Sequence, residues 1–356
     1  MSETILIAGG AGFVGSNLAC CLKGRYPDCR VIALDNLKRR GSELNLPWLR
    51  EMGVGFVHGD VRNVEDLLFD EPLHFIIDAA AEPSVMAGMG GSSDYLIHSN
   101  LNGTINLLNL AVRHKAKFLF LSTSRIYPVR MLETLAYHED DTRFALDDEQ
   151  LHPGASAHGI AEDFPLKGAR SLYGATKLAS ELILQEYQEF YGLQAVVNRC
   201  GVIAGPRQMG KIDQGVVTLW MAAHFWRKEL AYIGYRGCGK QVRDALHILD
   251  LFDIIDYEMN NFDSVGGKTF NIGGGSAISF SLRELTEACE VITGNRIRVI
   301  PSPNPRPGDI PIYITDYRYA TAETGWRPTR SMTQLLADLF EWIRANESSL
   351  KNILTQ

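Results

Sequence analysis

Tyr173 and Lys177 stand four residues apart in SLYGATKLASELI (171–183), a stretch with the apolar spacing of an amphipathic helix. Four residues is about one helical turn, so the phenol and the ammonium share a face. A phenol ionises near pH ~10 and is a poor base at neutral pH, but a neighbouring cation favours its phenolate. A pair so placed suits removal of a proton from a substrate hydroxyl. Taken alone, a Tyr/Lys pair is also ordinary on a solvated helix face. Its meaning depends on what else the chain carries.

Gly9, Gly12 and Gly15 form GxxGxxG directly after the apolar run TILIA and at the head of a helical pattern. Such a loop permits a tight turn, close approach of backbone to a pyrophosphate, and close packing of helix on strand. The helix beyond it turns free N–H groups and the positive end of its dipole toward the phosphates. Asp35 closes the second apolar run, at about the 20-residue separation of the dinucleotide fingerprint. Its carboxylate suits the ribose hydroxyls of NAD and repels a 2′-phosphate. Lys38, Arg39 and Arg40 come next and can offset that repulsion. The sequence thus favours NAD and leaves NADP open.

Apolar runs at TILIA, RVIALDN, GFVHGD, HFIIDAA, KFLFLSTS and QAVVNRCGVIAG alternate with segments of helical period, such as LNGTINLLNLAVRHK and YGATKLASELILQEYQEFYG. This alternation predicts an α/β fold: a Rossmann-type, doubly wound parallel sheet with helices on both faces. Residues 1–198 read as the NAD-binding domain. Residues 199–356, richer in Gly and Pro, read as a smaller C-terminal substrate-binding lobe, with 240–262 returning to pack on the first. The polar stretch 130–170 reads as a long connection and a candidate substrate loop.

The net charge of −7 and the absence of a long Lys/Arg run argue against a nucleic-acid partner. No apolar stretch is long enough for a membrane span, and no signal peptide opens the chain, so a cytoplasmic protein is expected. The six cysteines (20, 21, 29, 200, 238 and 289) contain no CxxC and read as buried free thiols. His58, His98 and the other histidines lack metal-ligand spacing, so no metal is expected. GWRP (325–328) reads as packing and a turn.

The glycine loop, the STS after a strand, and the YxxxK helix occur in an order that resembles the extended short-chain dehydrogenase/reductase superfamily, in its nucleotide-sugar epimerase/dehydratase branch. The resemblance covers nearly the whole chain. It implies cofactor contacts from Gly9, Gly12, Phe13, Val14 and Gly15, and from Asp35, Asn36, Lys38 and Arg40. Asp60 and Val61, in GDV (59–61), would lie by the adenine, and Ala79, Ala80 and Ala81 beneath the nicotinamide side. Asn100, Ser122, Tyr173, Lys177 and Cys200 complete that set. Cys200 replaces the His, Tyr or Phe that relatives often have there. Pro128 stands where a glycine usually follows the Tyr127 position.

Longer segments, LDNLKRRGSELNLPWL, IDQGVVTLW, GKQVRDALHILD and DDTRF, resemble the CDP-tyvelose (CDP-paratose) 2-epimerases more particularly. That likeness implies substrate contacts from Glu82, Ser124, Arg207, Gln208, Gln214 and Arg243, the last against the nucleotide diphosphate. Thr123 would hydrogen-bond the reacting sugar oxygen and steer it toward Tyr173, so Thr123, Tyr173 and Lys177 form the expected catalytic set. The superfamily's 4,6-dehydratases carry an Asp-Glu pair directly after that threonine. Here Ser124 and Arg125 stand instead. Plain oxidation and re-reduction is therefore expected: epimerisation of a nucleotide sugar through a transient keto sugar, at C-2 of a CDP-deoxyhexose. Glu82 remains a possible source of a carboxylate. A UDP-sugar 4-epimerase and a non-catalytic NAD-binding protein are the alternatives. A homodimer is expected, formed through the apolar helix that holds Tyr173.

Overall fold

Apolar runs without alternation need cover on both faces, and the expected runs supply six of the strands of a seven-stranded parallel sheet. Its strands are β1 (Thr4–Ala8), β2 (Arg30–Asp35), β3 (Gly55–His58), β4 (Phe75–Asp78), β5 (Lys117–Thr123), β6 (Ala195–Cys200) and β7 (Thr269–Ile272). The spatial order is β3-β2-β1-β4-β5-β6-β7. Every residue of β1 is buried, with Ile5 paired to Val31 on one side and Phe75 on the other. The order reverses between β1 and β4, the switch point at which open α/β sheets bind ligands. The structure, a computed structural model, describes residues 3–88, 92–210, 214–304 and 306–355.

Three helices matter for the site: α1 (Phe13–Arg25), α2 (Gly103–His114) and α3 (Leu172–Tyr191). Leu107, Leu108 and Ala111 of α2 and Leu184 of α3 join Leu6, Ile76, Phe118 and Phe120 of the sheet in one apolar core. The helical pattern preceding α2 begins further upstream than its spacing predicts. A short helix, Asp94–Ile97, runs through a π-turn, His98–Asn102, directly into α2. Such turns recur at functional positions, and this one carries Asn100.

The chain clusters into two compact units. The first comprises Met1–Thr123, Leu172–Arg199 and Phe252–Thr269. The second comprises Ser124–Ser171, Cys200–Leu251 and Phe270–Gln356. Within the second, strands Val202–Ala204, Val242–His247, Ser279–Ser281 and Ile312–Tyr313 form a small sheet. A full capping box, Ser281 with Glu284, starts its helix Leu282–Thr293.

The long polar connection over 130–170 contains regular elements. This stretch holds a helix, Val129–Glu133, and two hairpins, Tyr137–Glu139 with Phe144–Leu146 and Ala155–Ser156 with Gly159–Ile160. Its anchors are single residues that composition hides. Phe144 is buried against Tyr137, with ring centroids 4.9 Å apart, and Arg143 makes bonds of 2.6–3.1 Å to Glu284. The thiols also divide: Cys20, Cys200 and Cys289 are buried, whereas Cys21, Cys29 and Cys238 are partly exposed. All six are free. In GWRP, Gly325 ends a helix at φ 73° and the Trp326 indole donates to Asp250 O at 3.0 Å, so packing and a turn describe it. No helix among the described residues is long and apolar enough to cross a membrane.

Glu258 is fully buried, and Asn198 Nδ2 donates to its Oε2 at 2.8 Å. Burial pushes its carboxyl up to about 8, from an ordinary 4.5. Between those values the folded chain holds a proton that the unfolded chain has released. Stability therefore falls as pH rises through that window and levels off above it. Glu258→Gln is expected to match the wild type near pH 5 and to exceed it by on the order of 3 kcal/mol at pH 9. Urea unfolding at the two pH values measures this, and a gap that does not widen with pH would count against a protonated Glu258.

Candidate active site

The glycine loop is shaped by contacts that allow no side chain. Gly9 has φ 72°, and a Cβ there would lie 2.8 Å from Ala79 O and 2.9 Å from Ala80 Cα. A Cβ on Gly15 would lie 2.1 Å from Gly9 O. The loop after β1 thus lies directly against the loop after β4, and α1 starts where Gly12 opens it. Phe13 and Val14 begin that helix, on its unpaired N–H groups. Asp35, at the end of β2, accepts from Ala11 N at 3.1 Å and Leu37 N at 2.8 Å. Burial raises its carboxyl above the usual range, and these backbone donors oppose the rise. A dinucleotide fits this cradle: a side-chain-free turn, a helix N-terminus and a carboxylate at the end of the neighbouring strand.

Beyond Asp35, Asn36 Nδ2 donates to Asp60 Oδ2 at 2.9 Å, and Arg62 grips the same carboxylate with bonds of 2.9 and 2.6 Å. Burial works against ionisation of Asp60, but the Arg62 and Asn36 bonds prevail and hold it at about 2. The Lys38 ammonium and the Arg62 guanidinium both lie over the Tyr95 ring, at 4.3 and 4.8 Å. Arg62 and Tyr95 carry no sequence signal, because a cation within two residues of an acid looks like solvated surface. Val61 is buried and packs where Gly103 leaves room. Lys38 and Arg40 both lie in the loop after β2.

The buried face of α3 is polar over its first three turns: Tyr173, Thr176, Lys177, Ser180 and Glu181. Lys177 is 2% exposed, donates to Leu121 O at 2.8 Å, and lies 4.5 Å over the Phe120 ring. Tyr173, one turn earlier, and Thr123, two residues past Leu121, are both buried. The next residue back, Ser122, donates its hydroxyl to Glu181. The end of β5 is therefore tied to α3 at two successive residues. Asp78, at the end of β4, is fully buried, which raises its carboxyl, with the Lys177 charge the leading influence in the other direction. Its oxygens accept from Thr104 Oγ1 at 2.7 Å and Ala80 N at 3.1 Å, which sets the course of Ala79, Ala80 and Ala81. Asn100 exchanges two bonds with the Glu82 backbone, at 2.7 and 3.1 Å. Its carbonyl accepts from Ser180 at 3.1 Å, so the π-turn joins α3 to the 79–82 loop.

The remaining expected residues belong to the second unit. Cys200, at the end of β6, is buried. Ser124 begins a short 3-10 turn through Ile126, and its carbonyl accepts from Tyr127 N at 3.3 Å. Arg207 has φ 74°, a left-handed backbone that a non-glycine residue adopts at a cost. Gln208 spends both ends of its amide locally, donating to Ile203 O at 2.8 Å and accepting from Thr218 at 2.6 Å. Gln214 Oε1 is buried and unpaired among the described residues. Ile212 and Asp213 of IDQGVVTLW lie outside those residues. Arg243 donates to Val242 O at 2.7 Å, Ile310 O at 2.7 Å and Asp309 at 3.0 Å. Among the described residues, no group of three His, Cys, Asp or Glu side chains is arranged to hold a metal ion.

Comparison with known proteins agrees with this geometry. The model of the NAD dependent epimerase/dehydratase family matches residues 5–273. A CDP-paratose 2-epimerase of Salmonella typhi is 31% identical, covering 95% of this chain and 98% of its own. A dTDP-glucose 4,6-dehydratase of Actinoplanes sp. is 29% identical, covering 97% of this chain and 98% of its own. Among solved structures, the UDP-glucose 4-epimerase of Thermus thermophilus in complex with NAD superposes with a TM-score of 0.75 at 26% identity, covering 96% of this chain and 99% of that one. With the sheet order, the glycine cradle and the buried Tyr173–Lys177 face, these likenesses identify the chain as a member of the NAD dependent epimerase/dehydratase family.

Proposed function

We propose that this chain epimerises a nucleotide sugar, at C-2 of a CDP-linked deoxyhexose, with NAD bound and regenerated in each turnover. The observation that carries the reading is the buried Tyr173–Lys177 pair on α3, tied to the end of β5 where Thr123 stands. When bound, NAD supplies the acceptor and then the donor of the carbon-bound hydride. Tyr173 takes the hydroxyl proton as the ketone forms and gives one back when the sugar has turned its other face. Thr123 holds the reacting oxygen toward the phenol. Lys177 favours the phenolate by its charge and binds the nicotinamide ribose.

The likeness to the CDP-paratose 2-epimerase supports the choice of carbon and nucleotide. Ser124 and Arg125 support oxidation and return over dehydration, since neither supplies a carboxyl acid beside Thr123. The cofactor would rest on Gly9, Gly12, Phe13, Val14, Gly15, Asp35, Asn36, Lys38, Arg40, Asp60, Val61, Ala79, Ala80, Ala81, Asn100 and Cys200, and on Ser122 through its main chain, since the Ser122 hydroxyl is held by Glu181. Glu82, Ser124, Arg207, Gln214 and Arg243 would meet the substrate, and Gln208 would meet it too. The dimer expected from sequence would use α3, whose Leu182 and Phe190 are 56% and 74% exposed.

Three measurements test this. Incubated with CDP-, UDP-, GDP- and dTDP-sugars, the enzyme should exchange an epimer pair of a CDP-deoxyhexose without accumulating NADH; steady NADH formation would mark a dehydrogenase, and loss of water a dehydratase. Tyr173→Phe should lower turnover at least about 100-fold while bound NAD changes little; undiminished turnover would remove Tyr173 as the base. Gly15→Ala, by driving a Cβ onto Gly9 O, should leave the purified protein folded by circular dichroism but stripped of NAD, and retention of full cofactor would sink the proposed cradle.

A further inference from the structure

Helix α3 carries three ionisable groups in a column one turn apart: Tyr173, Lys177 and Glu181. The first two belong to the proposed proton transfer, and the third does not. Glu181 is 3% exposed. Its Oε1 accepts the Ser122 hydroxyl, and Arg199 Nη2 and Nε reach Oε2 at 2.8 and 3.1 Å. Arg199 is itself buried, on β6. One carboxylate therefore joins α3, the end of β5 and the adjacent β6.

A buried ion pair contributes little net stability compared with apolar packing, because two charges must be desolvated. Its distinguishing property here is directional. The Arg199 fork fixes the carboxylate, and the carboxylate fixes Ser122, the residue before Thr123. Lys177 makes the companion tie to Leu121 O, one residue earlier on the strand and one turn earlier on the helix. Two ties at successive strand residues set both the slide and the rotation of α3 against β5. Proton transfer needs donor and acceptor within about 2.6–3.2 Å, and a 1 Å error can cost about 100-fold in rate.

We propose that Glu181, braced by Arg199 and acting through Ser122, is a positioning residue that sets Thr123 against Tyr173; this rests on the epimerase reading above. Glu181→Ala would strand the buried Arg199 charge and can fail to fold, so the deciding variant is Ser122→Ala, which leaves the ion pair whole. In the NAD-loaded enzyme its kcat should fall by roughly 10- to 100-fold. KM for the sugar and the fraction of bound NAD should stay within about twofold, and the melting temperature within a few degrees. Ser122→Thr, which keeps a hydroxyl, should recover most of kcat. The brace is overturned by a Ser122→Ala enzyme with wild-type kcat, by a loss that Ser122→Thr does not recover, or by a fall in kcat matched by lost NAD or a lowered melting temperature. The last outcome would make the Ser122 hydroxyl a cofactor contact or a purely structural group. A wild-type enzyme that exchanges no epimer pair in the sugar panel withdraws the epimerase reading and the brace together. An active wild type with an indifferent Ser122→Ala withdraws the brace alone.

Discussion

A lysine ammonium removed from water must find its partners inside the protein, and the site is arranged around that requirement. Lys177 meets it with a neutral carbonyl, Leu121 O, and an aromatic face, Phe120. Both lie on β5, so the strand that presents Thr123 is also the one that satisfies the cation. The price is a helix whose buried face is polar over its first three turns, where an apolar stripe would be the ordinary solution. Each polar group there has to be answered. Thr176 and Ser180 donate to helix carbonyls and to Asn100, and Glu181 meets Arg199 and Ser122.

The cofactor cradle obeys a second constraint, one of volume. The turn after β1 and the turn after β4 come together at the switch point of the sheet, and only glycine fits at positions 9 and 15. Asp35 closes this arrangement from β2 through two backbone N–H bonds. Asp78 closes it from β4, bonded to Ala80 N and Thr104. Backbone shape and carboxylate placement are thus coupled: the acids hold the turns in place, and the turns give the acids the donors that make burial tolerable.

Within this family the relatives differ in the reactions they are named for. The CDP-paratose 2-epimerase, the dTDP-glucose 4,6-dehydratase and the UDP-glucose 4-epimerase match this chain at similar identity and nearly full length. Fold likeness therefore bears on the family more than on the particular reaction. The chain departs from the superfamily pattern at Ser124 and Arg125 after Thr123, at Pro128 after Tyr127, and at Cys200 at the end of β6.

The sheet, its helices, the glycine loop and the Tyr173–Lys177 pair were legible in the sequence because each is a local pattern. Apolar runs must be buried on both faces, GxxGxxG sits within one turn, and a phenol and an ammonium four residues apart share a helix face whatever surrounds them. The relations between distant single residues were not legible. Glu181 finds Ser122 and Arg199 across 59 and 18 residues of chain, Asp78 finds Thr104 across 26, and Arg143 finds Glu284 across 141. One acid among 42 has no periodicity to announce its partner. Nor does polar composition reveal that residues 124–171 hold two hairpins and cluster with the second unit. Sequence determined which groups lie on one turn or one strand. Tertiary packing decided which charges meet, because only burial makes an unpaired charge too costly to leave alone.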